Sequence, residues 1–293
     1  MRNVRDEVAA RRRRAIEEGL QCRRTSGSPA RGRYEVWGAS GRSHLVKLRF
    51  AWGAVHRCDC VDFETKGLGT CKHIEAALMA LERELPPDQM RVLRERASRP
   101  GWLGAELGPG VVYFDLETQR LFQEVGGRHH LDRLGLAAAV TFSEADGGFR
   151  EYLEKDALAL IRRLRQAPLV VGFNLLRFDY EVLAGYSEEA DELYGVPTLD
   201  LQFELERVLG FRPGLDGLAR ATLGAAKTAG GLQAVQWFRE GRLQDVVAYC
   251  REDVELTRRL FLAGLSGQRL RVPDRRGQVV EVAAPWAGGL AAA

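Results

Sequence analysis

The chain has 293 residues, of which 45% are hydrophobic and 28% are charged. That composition is typical of a soluble globular protein with a sizeable core. No apolar run approaches the ~20 residues of a membrane span, and the basic, polar N-terminus lacks the apolar segment of a secretory signal. We therefore expect a cytoplasmic protein without a membrane partner, whose five cysteines are thiols or metal ligands rather than disulfides.

Charge is distributed unevenly along the chain. Residues 1–100 carry 21 Lys and Arg against 13 Asp and Glu, a net charge of +8, whereas residues 101–293 carry 22 against 27, a net charge of −5. A basic half beside an acidic half suggests that the first binds a polyanion and that the second holds cations. Taken alone, the run Arg11–Arg14 is equally consistent with a solvated helix face.

The first hundred residues begin with polar segments. Residues 25–33 are predicted to be a flexible connection. Two short strands are predicted after it, at 33–38 and at 44–50. The second strand alternates Val46, Leu48 and Phe50 towards a core. A Cys/His segment then runs into an amphipathic helix, and prolines break the pattern at 84–102. We expect that stretch to link two domains, with a boundary near Arg99.

The remainder of the chain mixes strand and helix patterns. Strands are predicted at 110–116, 135–142, 168–174 and 196–201. Helices are predicted at 153–167, 215–223, 231–241 and 243–265. Strands followed by helices of this length indicate a layered α/β domain.

Four soft or borderline metal ligands form two close pairs in the basic half. Cys58 and Cys60 are separated by one residue, and Cys71 and His73 by another, with ten residues between the pairs. Zinc binds such a set tetrahedrally, and a shell closed by four protein ligands is structural rather than catalytic. The spacing therefore predicts one structural Zn²⁺. Buried thiols without a metal are a better interpretation of Cys22 and Cys250.

This segment resembles the SWIM zinc finger, in which two strands precede a CxC pair and a C-x-H pair opens a helix. The resemblance covers about residues 34–82, including the sequence CKH and the apolar helix after it. SWIM modules are associated with DNA or protein binding, which agrees with the basic character of this half.

A pair of carboxylates marks the end of the first strand of the second half. Asp115 and Glu117 are two residues apart and therefore share one face of a strand. Two such charges repel each other by roughly 3 kcal/mol at about 5 Å and an effective dielectric of 20. Either a positive group lies between them or both side chains point into open water, and the rest of the chain has to decide which.

Further acids occur at the ends of other predicted elements. Asn174 ends an apolar strand, and Asp179 falls in the first turn of the next helix, where an Asp alone is most often a cap. Tyr249 and Asp253 are four residues apart and so share a helix face. Asp253 lies within the apolar spacing of its helix, which predicts that it faces the domain, where a buried carboxylate needs a partner or a metal.

Together the sequences FDLET, NLLRFD and YCRED resemble the three motifs of the DEDD superfamily of 3′–5′ exonucleases, which are ribonuclease-H-like enzymes. Tyr249 is similar to the tyrosine of the DEDDy branch. The resemblance spans about residues 110–265 and extends to segments similar to bacterial ribonuclease-H-like domains often found beside helicase modules. It implies that Tyr249 orients the attacking water. It also implies four catalytic ligands for two divalent ions, Mg²⁺ or Mn²⁺: Asp115, Glu117, Asp179 and Asp253.

The chemistry agrees with this resemblance. Oxygen ligands select hard ions, and two such ions stabilise the attacking and the leaving oxygen of a phosphodiester together. A cation between Asp115 and Glu117 explains their shared face, and we expect Asp115 to bridge both ions. The predicted fold class is α/β. A ribonuclease-H-like mixed sheet flanked by helices (106–293) follows a basic region with a small zinc-finger domain (1–99).

The favoured function is a metal-dependent 3′–5′ exonuclease whose zinc finger aids the binding of nucleic acid or of a partner. A helicase or repair protein is suggested as partner by the company that the family keeps. One alternative is a noncatalytic adaptor built on a nuclease-like scaffold. Another is a different metal hydrolase site made by Asp115, Glu117 and Asp200, against which Tyr249 speaks. The sequence separates neither DNA from RNA nor exonucleolytic from endonucleolytic cutting.

Overall fold

The protein forms two compact units, residues 1–101 and 102–293. The computed structural model describes residues 4–50, 55–66, 69–225, 230–274 and 276–292. Of the segment predicted as a zinc finger, residues 51–54 and 67–68 lie outside the described residues. Within the described ranges, no helix has both the length and the apolar character needed to cross a membrane.

The N-terminal unit packs helices against one antiparallel sheet, whose strands follow each other in chain order, β1-β2-β3-β4. Its elements are α1 (Val4–Glu17), β1 (Gln21–Ser28), β2 (Arg31–Trp37), β3 (Ser43–Lys47), β4 (Arg57–Cys58), α2 (Val61–Lys66), α3 (Lys72–Glu84) and α4 (Pro87–Ser98). Val46, Leu48 and Phe50 are buried as predicted. They form one core with the buried face of α3.

The prediction of a flexible connection at 25–33 is wrong. This stretch contains the turn of the β1–β2 hairpin, in which Ser28 pairs with Arg31. Gly27 adopts φ 76°, and a Cβ at this position would collide with the carbonyl oxygen of Arg31, so the turn requires a glycine. The hydroxyl of Tyr34 donates to the carbonyl of Pro29 at 2.8 Å and fixes the loop to the second strand.

The proline-rich stretch at 84–102 is also different from the expected link, because most of it is the helix α4. Pro86 is the N-cap residue of this helix and Pro87 is its first residue. A proline is favoured there because its missing N–H would have no partner in the first turn. The prolines therefore start a helix, which buries Met90 in the core of the N-terminal unit.

The C-terminal unit is a layered α/β domain around a mixed five-stranded sheet of order β10-β9-β6-β7-β8. Its strands are β5 (Glu106–Leu107), β6 (Val112–Thr118), β7 (Leu136–Ser143), β8 (Gly148–Tyr152), β9 (Val170–Gly172), β10 (Thr198–Asp200), β11 (Leu270–Pro273), β12 (Val279–Val282) and β13 (Ala291–Ala292). Its α-helices are α5 (Ala157–Arg165), α6 (Tyr180–Leu183), α7 (Leu201–Leu209), α8 (Leu215–Leu223), α9 (Gly231–Arg239) and α10 (Leu243–Leu265).

The central sheet combines two kinds of pairing. β10, β9 and β6 run parallel, whereas β7 and β8 continue the sheet antiparallel to their neighbours. Helix α10 buries apolar side chains against it, among them Val246, Val254 and Phe261. Helix α8 packs on α10 and β11 and adds Leu218 to the same core. The predicted fold class is therefore confirmed: a mixed sheet flanked by helices, preceded by a small domain with a cysteine cluster.

Candidate metal centre and cleft

The carboxyl ends of the parallel strands meet at one edge of the central sheet. β6 pairs with β9 as far as Tyr113 and then continues to Thr118. Asp115 and Glu117 therefore lie beyond the last residue that pairs with β9. In open α/β sheets, ligands bind outside the carboxyl ends of the strands, so this edge is the natural place for a site.

Three of the predicted ligands come together here. Carboxylate oxygens of Asp115, Glu117 and Asp253 all lie within 4.8 Å of one another. Glu117 is 9% exposed and Asp253 is 4% exposed, so the prediction that Asp253 faces the domain is confirmed. Charges this close repel by about 4 kcal/mol per pair at 4 Å and a dielectric of 20, and burial adds a desolvation cost. An oxygen-only group of this kind fits a hard divalent cation.

Asp179 lies beside this group in a different environment. It ends the π-helical turn Leu175–Asp179 that joins β9 to α6, and its Oδ1 accepts the backbone N–H of Leu116 at 3.2 Å. Burial, followed by the charges of Asp115 and Asp200, raises the pKa of Asp179 well above its ordinary value. The charge of Asp115 therefore acts on Asp179, although Asp179 does not belong to the group of three carboxylates whose oxygens lie within 4.8 Å of one another. Its role as a ligand stays a prediction.

Asp200 has a structural role that the sequence does not reveal. Its buried carboxylate accepts the backbone N–H groups of Asn174 at 2.8 Å, Leu176 at 3.0 Å and Phe203 at 3.2 Å. Asp200 therefore caps α7 and also anchors the turn that carries Asp179. An Asp directly before a predicted helix is a capping signal, but the two bonds across to the neighbouring strand end leave no trace in the sequence.

Helix α10 brings the third motif to the sheet. Tyr249 and Asp253 lie one turn apart on its buried face, and the ring of Tyr249 meets Trp237 of α9 edge-on at 6.3 Å. Cys250 lies between Tyr249 and Asp253 in the sequence, and its Sγ donates to the backbone carbonyl of Asp115 at 3.2 Å. Burial, and then the charge of Asp115, raises the pKa of Cys250 well above its ordinary value, so this buried group stays a thiol.

A cleft of about 520 Å³ opens onto the carboxylates. Asp115, Glu117, Asp179 and Asp253 all line it. Its other walls come from the segment between β6 and β7, from the turn after β9, and from the beginnings of α8 and α9. A cleft of this size is in the range that holds a drug-sized ligand, and its acidic floor suits a ligand that arrives with cations.

The cysteine cluster forms a second, independent candidate site in the N-terminal unit. Ligand atoms of Cys58, Cys60, Cys71 and His73 lie within 4.8 Å of one another, and all four residues are buried. The Nδ1 of His73 lies 3.7 Å from the Sγ of Cys58 and 4.0 Å from that of Cys71. A tetrahedral zinc with bonds of about 2.0–2.3 Å separates its ligands by roughly 3.5–3.8 Å. The four residues therefore fit a zinc ion.

The residues around the cluster orient its ligands. Asp59, between the two cysteines of the CxC pair, turns to His44, whose Nδ1 lies 2.9 Å from its Oδ1. The ring of His44 in turn packs on the ring of His73 with the centroids 4.1 Å apart. Hydrogen bonds to the neighbouring thiols Cys60 and Cys71, and then burial, raise the pKa of Cys58. Three thiolates can therefore coexist here only around a cation.

Comparison with known proteins finds a family match within the C-terminal unit. The family model of the RNase H superfamily matches residues 112–263, about half of the chain. This range includes the five-stranded sheet, the acidic group and helix α10 as far as Ala263. A search of the curated proteins found no match for the chain.

Proposed function

This chain belongs to the RNase H superfamily, and from that premise we propose that it is a metal-dependent nuclease that hydrolyses phosphodiester bonds in nucleic acid. One observation carries the proposal above all: the oxygens of Asp115, Glu117 and Asp253 converge within 4.8 Å at the floor of a cleft. Such a group is expensive to bury unless it binds cations. A nuclease needs those cations where the phosphate is cut.

In this proposal Asp115, Glu117, Asp179 and Asp253 hold two divalent ions, Mg²⁺ or Mn²⁺. When bound, such ions stabilise the charge that grows on the attacking and leaving oxygens. The side chains of β6 and α10 would hold the ions in fixed positions, because both elements are anchored in the core. Asp179, held by the N–H of Leu116, completes the set from the turn after β9.

Tyr249 is the proposed orienting group for the attacking water, which makes the protein a nuclease of the DEDDy type. Its place on the same face of α10 as Asp253 supports this role, and its contact with Trp237 holds the ring in one orientation. The DEDDy motifs further suggest 3′–5′ exonucleolytic cutting. The direction of cutting rests on that resemblance alone.

The cysteine cluster is the proposed SWIM-type finger, which binds one structural Zn²⁺ through Cys58, Cys60, Cys71 and His73. The finger would aid the binding of nucleic acid or of a protein partner such as a helicase or a repair protein. Many of the basic residues in this unit already have acidic partners, as Arg12 has in Glu82 and Arg24 in Glu84. Each such pair takes up one acid with one base, so the net charge of +8 over residues 1–100 is not reduced by the pairing.

A noncatalytic adaptor remains the alternative function. It predicts that the acidic residues can be replaced without effect on what the protein does. Three mutually repelling carboxylates, two of them buried, are difficult to reconcile with a scaffold, because packed apolar side chains would stabilise such a scaffold better.

The experiment that separates these functions is digestion of end-labelled nucleic acids by the full chain. Single-stranded DNA, duplex DNA and RNA labelled at the 5′ end would be incubated with Mg²⁺, with Mn²⁺ and with EDTA. The proposal predicts cleavage that requires the added ion, with a ladder shortening from the 3′ end. Absence of metal-dependent cleavage of every substrate would support the adaptor.

A further inference from the structure

The segment between β6 and β7, residues 119–135, forms one wall of the cleft. Arg120 and Phe122 are among its residues that line the cleft, and Arg128 places its guanidinium over the ring of Phe122 at 4.6 Å. The side chain of Arg120 is held differently, because its Nη1 donates to the backbone carbonyl of Arg133 at 2.7 Å. Two arginines are thus fixed beside the cleft by contacts that leave their charge intact.

The arginines of the neighbouring elements, by contrast, form ion pairs with carboxylates. Arg177 pairs with Glu206, Arg239 with Glu124, and Arg242 with Asp245. Within the described ranges, neither Arg120 nor Arg128 has a carboxylate within ion-pair distance, and both side chains are exposed. Positive charge is therefore left uncompensated at the wall of the cleft.

The acids of the same segment do not cancel this charge. Glu124 is bound to Arg239 of α9 and accepts the backbone N–H of Leu121. Asp132 is half-buried and makes contacts of its own. The cleft therefore has an acidic floor, and the segment that forms its wall carries Arg120 and Arg128 as exposed cations.

On the basis of the proposed nuclease function, we propose that Arg120 and Arg128 form a phosphate-binding site for the backbone of the substrate strand next to the bond that is cut. A polyanion that approaches four carboxylates needs positive charge beyond that of the ions, and the guanidinium forks match phosphate oxygens in pairs. The ring of Phe122 and the carbonyl of Arg133 hold both groups in place before binding, which lowers the entropy lost when the strand binds.

The test measures binding of a 5′-fluorescein-labelled single-stranded oligonucleotide by fluorescence anisotropy over a range of salt concentrations. Every protein is the full chain with Asp115→Asn, so that the probe stays intact. Arg120→Gln and Arg128→Gln are each expected to raise Kd by roughly 3- to 30-fold. Each should also make the dependence of log Kd on log salt shallower by about 0.7, the value for one phosphate contact with a single strand.

Two further variants sharpen the comparison. Arg162→Gln is the matched control, because Arg162 is an exposed arginine of α5 without an acidic partner in the described part of the chain and is not a cleft-lining residue. It removes the same charge and should leave Kd and the salt dependence close to those of the parent. Arg128→Lys keeps the charge and loses the fork, so it should keep the salt dependence and weaken binding less than Arg128→Gln.

Equal Kd values and equal salt dependences for Arg120→Gln, Arg128→Gln and Arg162→Gln would overturn the phosphate site. That outcome is distinct from failure of the proposed function. If the wild-type chain cuts with Mg²⁺ or Mn²⁺ and the arginine variants still bind normally, only the phosphate site is wrong. If the wild-type chain cuts nothing while the arginine variants lose affinity, the phosphate site stands and the nuclease assignment fails.

Discussion

The buried carboxylate of Asp200 accepts the backbone N–H of Asn174 at 2.8 Å, and Asn174 is the non-glycine residue with positive φ, 69°, in the described part of the chain. Asn tolerates the left-handed conformation better than most residues other than glycine do, and the bond to Asp200 stabilises it further. Through this bond and the bond to Leu176, Asp200 fixes the turn that ends at Asp179. The proposed active site thus depends on an acid that need not touch an ion.

Replacing Asp200 tests this dependence. Asp200→Ala leaves three backbone N–H groups without their acceptor, so we expect a loss of about 2–4 kcal/mol in the free energy of unfolding and a marked loss of cleavage. Urea unfolding in EDTA and cleavage rates on the same preparations would measure both. Asp156→Ala is the control, because Asp156 accepts one N–H at the start of a 3₁₀ turn, from Leu153. It should lose less stability and keep full cleavage; an equal effect of both variants would contradict the role of Asp200.

The raised pKa of Asp179 predicts a pH dependence of stability. Because the folded state binds this proton more tightly than the unfolded state does, Asp179 stabilises the metal-free protein below its ordinary pKa, and that contribution is lost as the pH rises through the raised value. Asp179→Asn removes this loss. In EDTA, the variant should therefore gain stability relative to wild type as the pH is raised from 4 towards 8. A difference in the free energy of unfolding that is constant across this range would show that Asp179 is not perturbed.

Zinc binding by the cysteine cluster can be tested with a cysteine control from the same unit. Cys71→Ser should lose the single equivalent of zinc and melt at a lower temperature, since binding free energy of a structural zinc is folding free energy. Cys22→Ser should keep both, because Cys22 lies outside the cluster and burial raises its pKa to about 11. Metal analysis and thermal melts would follow both variants. Full zinc content in Cys71→Ser would exclude the proposed site.

Tyr249→Phe separates positioning from metal binding. The variant keeps the ring that packs on Trp237 and loses the hydroxyl, so the fold and the affinity for Mn²⁺ should be unchanged. Cleavage should fall by a factor of roughly 10²–10⁴, typical of a group that positions or transfers a proton. Tyr34→Phe, which loses a hydroxyl of the β1–β2 hairpin, should leave the cleavage rate at the wild-type level. A wild-type rate in Tyr249→Phe would remove the tyrosine from the proposed mechanism.

Much of the C-terminal fold was predictable because its signals are local. The apolar runs of β6, β7 and β9 and the long amphipathic repeat of α10 each occur within one continuous segment. The pairing of Tyr249 with Asp253 follows from helix geometry alone. Joining these segments into one site required the family resemblance, since Asp115 and Asp253 are far apart in the sequence.

The errors have physical causes as well. β1 is an edge strand with little burial and two arginines, so it lacks the alternation that identifies a half-buried strand. Prolines break a helix in its interior, which is why their pattern suggests a link, but at the start of α4 they favour the helix. The hydrogen bonds of Asp200 connect the ends of two neighbouring strands. They could not be predicted from the sequence, because they depend on which strands are neighbours in the sheet.

The central claim is that the carboxylates of Asp115 and Asp253 bind the ions that cut nucleic acid. Its most direct test is the rate of Mn²⁺-dependent cleavage of end-labelled single-stranded DNA and RNA by wild type, Asp115→Asn and Asp253→Asn. Thermal melts in EDTA and in Mn²⁺ would be recorded on the same preparations. We predict that wild type cuts, that neither variant does, and that both melt no lower than wild type in EDTA because a repelling charge has been removed. Mn²⁺ should raise the melting temperature of wild type more than that of either variant. Cleavage by Asp115→Asn at the wild-type rate would contradict the account.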